Sequence, residues 1–420
     1  MKTYPKLYLL FVLLLAFGNT TLANTKDVFS QYKSSLLQIR IVDVATDSKT
    51  TIGSGFFVNN AGLIATNYHV ISKHVFEPKQ YRIEYVLHDN KKTKSVYQAK
   101  LVNFDVIHDL ALLQPEKKII KTPYLKLQNA SLTKGEKIFS IGNPHDLGMA
   151  IITGTYNGLV DDSINNRIHL SSAINPGMSG GPSITEKGKV IGVNVATAGN
   201  QIGFLVPVKY LKTLIKNKEQ PKDFIEHIGK QILKNQDAYI SRILKKPFKI
   251  KKLGHYQVPD KLASYLTCWG DSESKDLPYK ISENSCATKN DIYLASNFTT
   301  GDIHYSRYHV SAENMSRYRF AYIMEHLYKD AAVFLTGSKK YFTNYECKTE
   351  FVTNNTITFK VSFCLRGYKH FSGVYDMMLS AVSLSKETTA IQTNLILAGV
   401  SYKNAISFSK KYLEAFSWAP

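Results

Sequence analysis

The chain has 420 residues, a formal net charge of +20, 44% apolar side chains and four cysteines. That length suffices for about two domains with cores of their own, and no internal repeat or low-complexity tract is present, which excludes solenoid and fibrous classes. The positive charge favours anionic partners in general without selecting one, and the absence of HExxH or paired Cys/His spacing excludes the common zinc motifs.

In chain order, residues 1–23 carry Lys2 and Lys6, an apolar run from Leu7 to Phe17 and a small-residue site at Thr21-Leu22-Ala23. This is the pattern of a secretory signal peptide, and the apolar run is short for a membrane span. The mature chain is therefore expected to be exported and soluble, periplasmic or secreted. Residues 26–35 suit a short helix and Leu36–Val44 a strand. Thr51–Val58 and Leu63–Thr66 flank Asn59-Asn60-Ala61-Gly62, a hairpin signal that leads to His69. Short apolar segments then recur at 81–87, 97–102, 110–113, 137–141, 151–159, 168–170, 190–195 and 203–208. With no helices between them, they predict antiparallel barrels and not a parallel sheet.

Asn175-Pro176-Gly177-Met178-Ser179-Gly180-Gly181-Pro182 places one serine in a glycine-rich turn where backbone N–H groups can converge on a reacting oxygen. A serine hydroxyl is a weak nucleophile and needs a base, itself held by a third group. Both are available upstream: His69 ends one apolar run and Asp109 begins another. Gly177-x-Ser179-x-Gly181 also spells a nucleophile elbow, but an elbow joins a strand to a helix and its acid and histidine follow the serine. Here the partners precede it, and a strand-like run, Lys189–Val195, comes after. His108, next to Asp109, is expected to point to the opposite face of a strand. His145 is expected to be exposed in a loop. Nothing calls for a metal or cofactor.

Thr51–Ile71, Asp109–Leu113, Ile141-Gly142-Asn143-Pro144, Ala173–Pro182 and Ile202–Pro207, in that order, resemble the protease domain of the HtrA/Deg branch of trypsin-like serine proteases. The resemblance covers about residues 26–218. It implies an all-β, chymotrypsin/trypsin-like fold of two six-stranded barrels with a cleft between them, and an endopeptidase acting on polypeptides outside the cytoplasm. It further implies His69 as base, Asp109 as its orienter, Ser179 as nucleophile and the N–H groups of Gly177 and Ser179 as oxyanion hole. Ala173, Ile174 and Asn194 are the expected substrate contacts. Because Ala173 is neutral, cleavage after small or aliphatic residues is expected and cleavage after Lys or Arg disfavoured.

Two departures stand out. Met178 occupies a position that is usually polar in the family, so any side-chain bond bracing the loop there is lost. Nothing after residue 218 resembles the PDZ modules that often follow this domain. The alternative function is accordingly a catalytically silent binding or chaperone-like protein on the protease scaffold; an esterase using the same residues is a third.

Val208–Ile215 reads as a helix closing a domain of residues 24–218. A basic linker helix is expected within 219–253, with apolar residues from Phe224 to Ile243 at helical spacing. Lys230–Lys252 holds eight cations against Asp237, which reads as a solvated face or as a weak contact with an anionic surface; no nucleic acid is expected. Residues 254–420 read as an α+β domain with helices at 315–329 and 401–416, the latter capped by Ser401. All four cysteines lie there, and an exported chain favours disulfides. Local pairing, Cys268 with Cys286 and Cys347 with Cys364, is the first choice of three connectivities. In a hairpin of 345–353 with 356–365, however, direct pairing of Cys347 and Cys364 puts Phe359, Val361 and Phe363 on the face of Lys348 and Glu350, whereas aligning the apolar faces separates the cysteines; a bulge would reconcile the two.

Overall fold

The computed structural model describes residues 24–419 except 89–93, 118–120, 129–131, 162–163, 198–201, 218, 274–276, 290, 331–334, 355 and 385–386. The expected signal peptide, 1–23, lies outside the described residues. The first barrel comprises β1 (Leu36–Asp43), β2 (Ser48–Phe57), β3 (Ile64–Thr66), β4 (Tyr81–His88), β5 (Lys94–Asp105) and β6 (Leu110–Pro115), closed in the order β1-β2-β3-β6-β5-β4. The second comprises β8 (Lys137–Gly142), β9 (Ala150–Leu159), β10 (Ile168–Leu170), β11 (Pro182–Thr185), β12 (Lys189–Thr197) and β13 (Gly203–Pro207). It closes through β11–β12 pairing, and the short β7 (Lys126–Leu127) adds in parallel to β12. The expected double six-stranded barrel is thus present.

The period-2 pattern shows where the barrels meet. Along β6, Ala111 and Leu113 belong to the first barrel's core, whereas Leu110 and Leu112 join a second cluster with Phe139, Ile141, Val193 and Val206 of the other barrel. Both faces of β6 are buried, which is why its sequence is continuously apolar. Asp109 immediately precedes it, at the seam.

The helix expected within 219–253 is Phe224–Leu244, opened by Asp223, whose carboxylate accepts from Ile225 N and Glu226 N. It is not confined to one part of the chain. Ile228 and Ile232 enter the first barrel's cluster, while Tyr239, Ile240 and Ile243 enter the C-terminal core. Beyond Pro247 the chain turns extended: β14 (Ile250–Leu253) pairs with β15 (Tyr256–Pro259), so the linker's last residues are strand and not helix.

The C-terminal part is built on a seven-stranded antiparallel sheet. Its strands are β16 (Leu266–Glu273), β17 (Lys280–Thr288), β20 (Ile303–Ser311), β21 (Glu346–Thr353), β22 (Thr358–Gly367), β23 (Tyr375–Ser383) and β24 (Thr389–Val400), in the order β16-β17-β20-β24-β23-β22-β21. A separate hairpin, β18 (Ile292–Ala295) with β19 (Phe298–Thr300), projects from the β17–β20 connection, and β25 (Ser417–Trp418) pairs with β15. Central β24 is buried along its length. Leu379, Ile391 and Leu395 pack under the helices 224–244 and 402–414, and Val382 and Ala390 under the helix Arg317–Asp330. The helix Tyr402–Glu414 opens at Ser401, whose side chain accepts from Asn404 N. No helix among the described residues is long and apolar enough to cross a membrane.

Both disulfides are the local ones, and each fastens an edge strand to its neighbour: Cys268–Cys286 joins β16 to β17, Cys347–Cys364 joins β21 to β22. No bulge interrupts the β21–β22 pairing. Cys347 pairs directly with Cys364, Lys348 with Phe363 and Glu350 with Val361 in one unbroken register. The conflict dissolves because every residue of β21 is exposed. An edge strand solvated on both faces has no apolar side to align, so Phe359 and Val361 are buried while their β21 partners, Val352 and Glu350, stay exposed.

Candidate active site

Strand β3 ends at Thr66, and Asn67 then starts the helix Tyr68–Phe76 with His69 in its first turn. Asp109 lies in a turn before β6 at φ 59, a left-handed conformation that aspartate tolerates better than most residues. From there its carboxylate grips His69 twice. Oδ1 accepts the His69 backbone N–H at 2.8 Å, and Oδ2 lies 2.7 Å from ring Nδ1. Asn67 Nδ2 holds the Asp109 carbonyl at 2.7 Å. Asp109 is only 7% exposed, so little water competes for these bonds. The two oxygens fix the ring's position, and the Nδ1 contact leaves Nε2 facing away from the acid.

Ser179 sits on a loop clamped between the barrels. Its carbonyl accepts from Ser54 N at 2.7 Å, Gly180 N donates to Asn194 O at 2.9 Å, and a Cβ on Gly180 would collide with Ser54 O. Ser179 Oγ donates to Val195 O at 3.2 Å. Gly177 has φ 93, and a Cβ there would collide with Asn143 O. The Pro176 carbonyl accepts from His145 N at 2.8 Å and the Gly177 carbonyl from Ser54 Oγ at 2.7 Å. Among the described residues, the N–H groups of Gly177 and Ser179 donate to no protein acceptor. In a trans peptide N–H and C=O point opposite ways, so holding the Pro176 oxygen toward His145 turns the Gly177 N–H from it.

The three expected substrate contacts separate. Ala173 is partly exposed. Ile174 is buried in the second barrel's core with Leu170 and Leu205. Asn194 is also fully buried: its amide donates to Ile141 O at 3.0 Å and accepts from Ser183 Oγ at 2.8 Å, so it supports the Ser179 loop from beneath. Met178, read from sequence as a lost brace, anchors the loop by packing with Ile138, Leu170 and Ile174.

His108 is turned from the site, but not by strand alternation, since residues 106–109 form a turn. Its ring Nδ1 lies 2.6 Å from Asp105 Oδ2 and its face stacks on Tyr210 at 3.6 Å. Burial pushes the Asp105 carboxyl up, and the bonds and charge of His108 outweigh it, leaving it below the ordinary value. His145 is exposed as expected, though its backbone N–H braces Pro176.

Sequence reasoning missed Ser54, Arg167 and Tyr293. Ser54 Oγ bridges Gly177 O and Asn143 N; its setting between Gly53 and Gly55 was the available signal for a close backbone approach. Arg167 Nη1 donates to His108 O at 3.1 Å; burial lowers its pKa against the opposing pull of Asp109 and Asp105. Tyr293, from the C-terminal hairpin, lies edge-on to the His69 ring.

Residues 53–193 match the family described as trypsin-like peptidase domain. Protease Do-like 1, chloroplastic, of Arabidopsis thaliana is 35% identical over 175 residues, covering 37% of this chain and 36% of that protein. The probable periplasmic serine endoprotease DegP-like of Chlamydia trachomatis is 34% identical over 178 residues, 39% of this chain and 33% of its own length. The crystal structure of Deg5 is 29% identical, covering 46% of this chain and 95% of that one at a TM-score of 0.41. The chain thus spans about a third of the length of these two curated relatives.

Proposed function

We propose that the chain is an exported serine endopeptidase with His69, Asp109 and Ser179 as its catalytic groups, on the premise that residues 53–193, which match the trypsin-like peptidase domain, take the HtrA/Deg form of the relatives they resemble. The observation that carries this is the two-point grip of Asp109 on His69, which orients an imidazole for general-base work. The Ser179 hydroxyl swings from Val195 O toward His69 Nε2 once substrate arrives, since such contacts tighten on complex formation. Oγ attacks the scissile carbonyl carbon while its proton passes to Nε2. The oxyanion meets the free N–H groups of Gly177 and Ser179, a type of donor worth about 2.7–4 kcal/mol each. Collapse expels the amine, which takes the proton from His69 and leaves an ester on Ser179. Water, deprotonated by His69, then attacks that ester, releasing the acid and restoring the hydroxyl.

The neutral, partly exposed Ala173 supports cleavage after small or aliphatic residues. The relative named as a periplasmic endoprotease and the signal-like residues 1–23 support export. A second function, binding without catalysis, draws on the Ser179 Oγ–Val195 O bond, which leaves the hydroxyl off the imidazole in the absence of substrate. Labelling with a fluorophosphonate decides between them. Wild-type protein labels at Ser179 and Ser179→Ala does not if the chain is a hydrolase; folded wild-type protein that stays unlabelled is a binder.

A further inference from the structure

The C-terminal part of the chain reaches the reacting groups. Fully buried Tyr68, adjacent to His69, donates its hydroxyl to Leu294 O of β18 at 2.8 Å. The Tyr293 ring meets the His69 imidazole edge-on, centroids 6.0 Å apart and planes at 78°. Beside this contact opens a cavity of about 600 Å³, walled by His69, Asp109 and Val195, whose carbonyl receives Ser179 Oγ, and by Phe204, Ile292 and Tyr293. One wall therefore comes from β18, outside both barrels, and the cavity adjoins the groups that would do chemistry.

The hairpin is anchored as a fixed wall. Phe298 of β19 is buried in the first barrel's cluster and stacks on Tyr341 at 4.2 Å with planes 8° apart. The cavity's character is apolar, with Val106, Ile107 and Val160 completing the lining. Its charged lining groups balance in number, Arg167 and Lys289 against Asp109 and Asp291. The volume lies within the ordinary range of ligand pockets, about 300–1,000 Å³.

Building on the endopeptidase proposed above, we infer that Tyr293 is a specificity-determining residue: with Ile292 it closes a subsite, made jointly by the barrels and the C-terminal part, for an apolar substrate side chain flanking the scissile bond. A peptide reaching Ser179 lays its flank against Val195 and Phe204 and presses one side chain toward Tyr293. Charged side chains at that position are rejected, because a mainly apolar lining, with two cations set against two carboxylates, does not repay the desolvation of a charge.

Binding tests this without requiring turnover. Fluorescent N-acetyl pentapeptides carrying Ala, Leu, Phe or Asp at each flanking position are titrated against the full chain with Ser179→Ala. The expected result is one position where Leu or Phe binds about tenfold tighter than Asp, a discrimination typical of an apolar pocket. Tyr293→Ala abolishes that preference, Tyr293→Phe keeps it, and Tyr293→Trp, which narrows the cavity without opening it, selectively weakens Phe. Near-UV circular dichroism identifies variants that fold. An unchanged ranking in folded Tyr293→Ala and Tyr293→Trp overturns the subsite. Fluorophosphonate labelling of the wild type runs in parallel: unlabelled protein that retains the Tyr293-dependent ranking loses the hydrolase but keeps the subsite, and labelled protein with flat ranking does the reverse.

Discussion

Ser54 Oγ donates to the Gly177 carbonyl at 2.7 Å across a sequence separation of 123 residues, tying a strand of the first barrel to the turn that precedes Ser179. The same oxygen accepts the Asn143 N–H at 2.8 Å. One hydroxyl thus fixes the peptide plane following Gly177 and the loop that holds Pro176.

Ser54→Ala is expected to leave a buried N–H and C=O unpaired, at a stability cost of about 1–3 kcal/mol. It should also lower kcat about tenfold or more, because a loosened Gly177 presents its N–H poorly to the oxyanion. Urea unfolding and kcat/KM on one peptide substrate measure the two. A variant with wild-type kcat and lowered stability limits Ser54 to a structural role.

The contrast between Ser54 and Ser179 shows what the sequence displays. Ser179 is legible because glycines and a proline crowd round it, and His69 and Asp109 because each ends or begins an apolar run. Ser54 is an inconspicuous strand residue whose partners are settled only when the barrels meet. Tyr293 is still less visible, since its relation to His69 depends on a hairpin from another sheet. Sequence alternation located the barrel strands but misjudged β21, where solvent on both faces removes the pattern's meaning. The role of the Asn194 side chain was equally hidden, since its amide is bonded to the Ile141 carbonyl and the Ser183 hydroxyl beneath the Ser179 loop.

Asp109→Asn should reduce kcat by about 10⁴ at neutral pH, the scale seen when such an acid is neutralised. The amide cannot accept from both the His69 backbone and its ring as the carboxylate does, and it favours the wrong tautomer. The test is kcat across pH, with labelling of Ser179 to count active sites. A loss under tenfold would show that the grip on His69 does not govern catalysis.

His74 and His227 are both held below the ordinary histidine value, chiefly by burial. In the unfolded chain they titrate near about 6.5, so below that pH the unfolded state binds more protons than the folded one. Their contribution to stability is therefore complete above about 6.5 and is lost as pH falls toward the folded values. The urea midpoint should drop between pH 7.5 and 5.5, and the drop should shrink in a His74→Gln, His227→Gln double variant. An equal drop in both proteins would assign the acid sensitivity elsewhere.

Tyr68→Phe probes whether the barrels and the C-terminal sheet fold as one unit. The Tyr68 hydroxyl is fully buried and bonded to Leu294 O, and the cluster around it runs unbroken from Leu37 and Ile39 of β1 to Ile292, Phe298 and Phe371. Removing the hydroxyl strands the Leu294 carbonyl, a loss of about 1–3 kcal/mol. Because the two parts share that cluster and the helix 224–244, the loss should shift a single unfolding transition seen alike by tryptophan fluorescence and far-UV circular dichroism, the two tryptophans, Trp269 and Trp418, both lying in the C-terminal part. Two separated transitions, with only one moved by the substitution, would mean that the shared cluster is a docking surface between independently stable bodies.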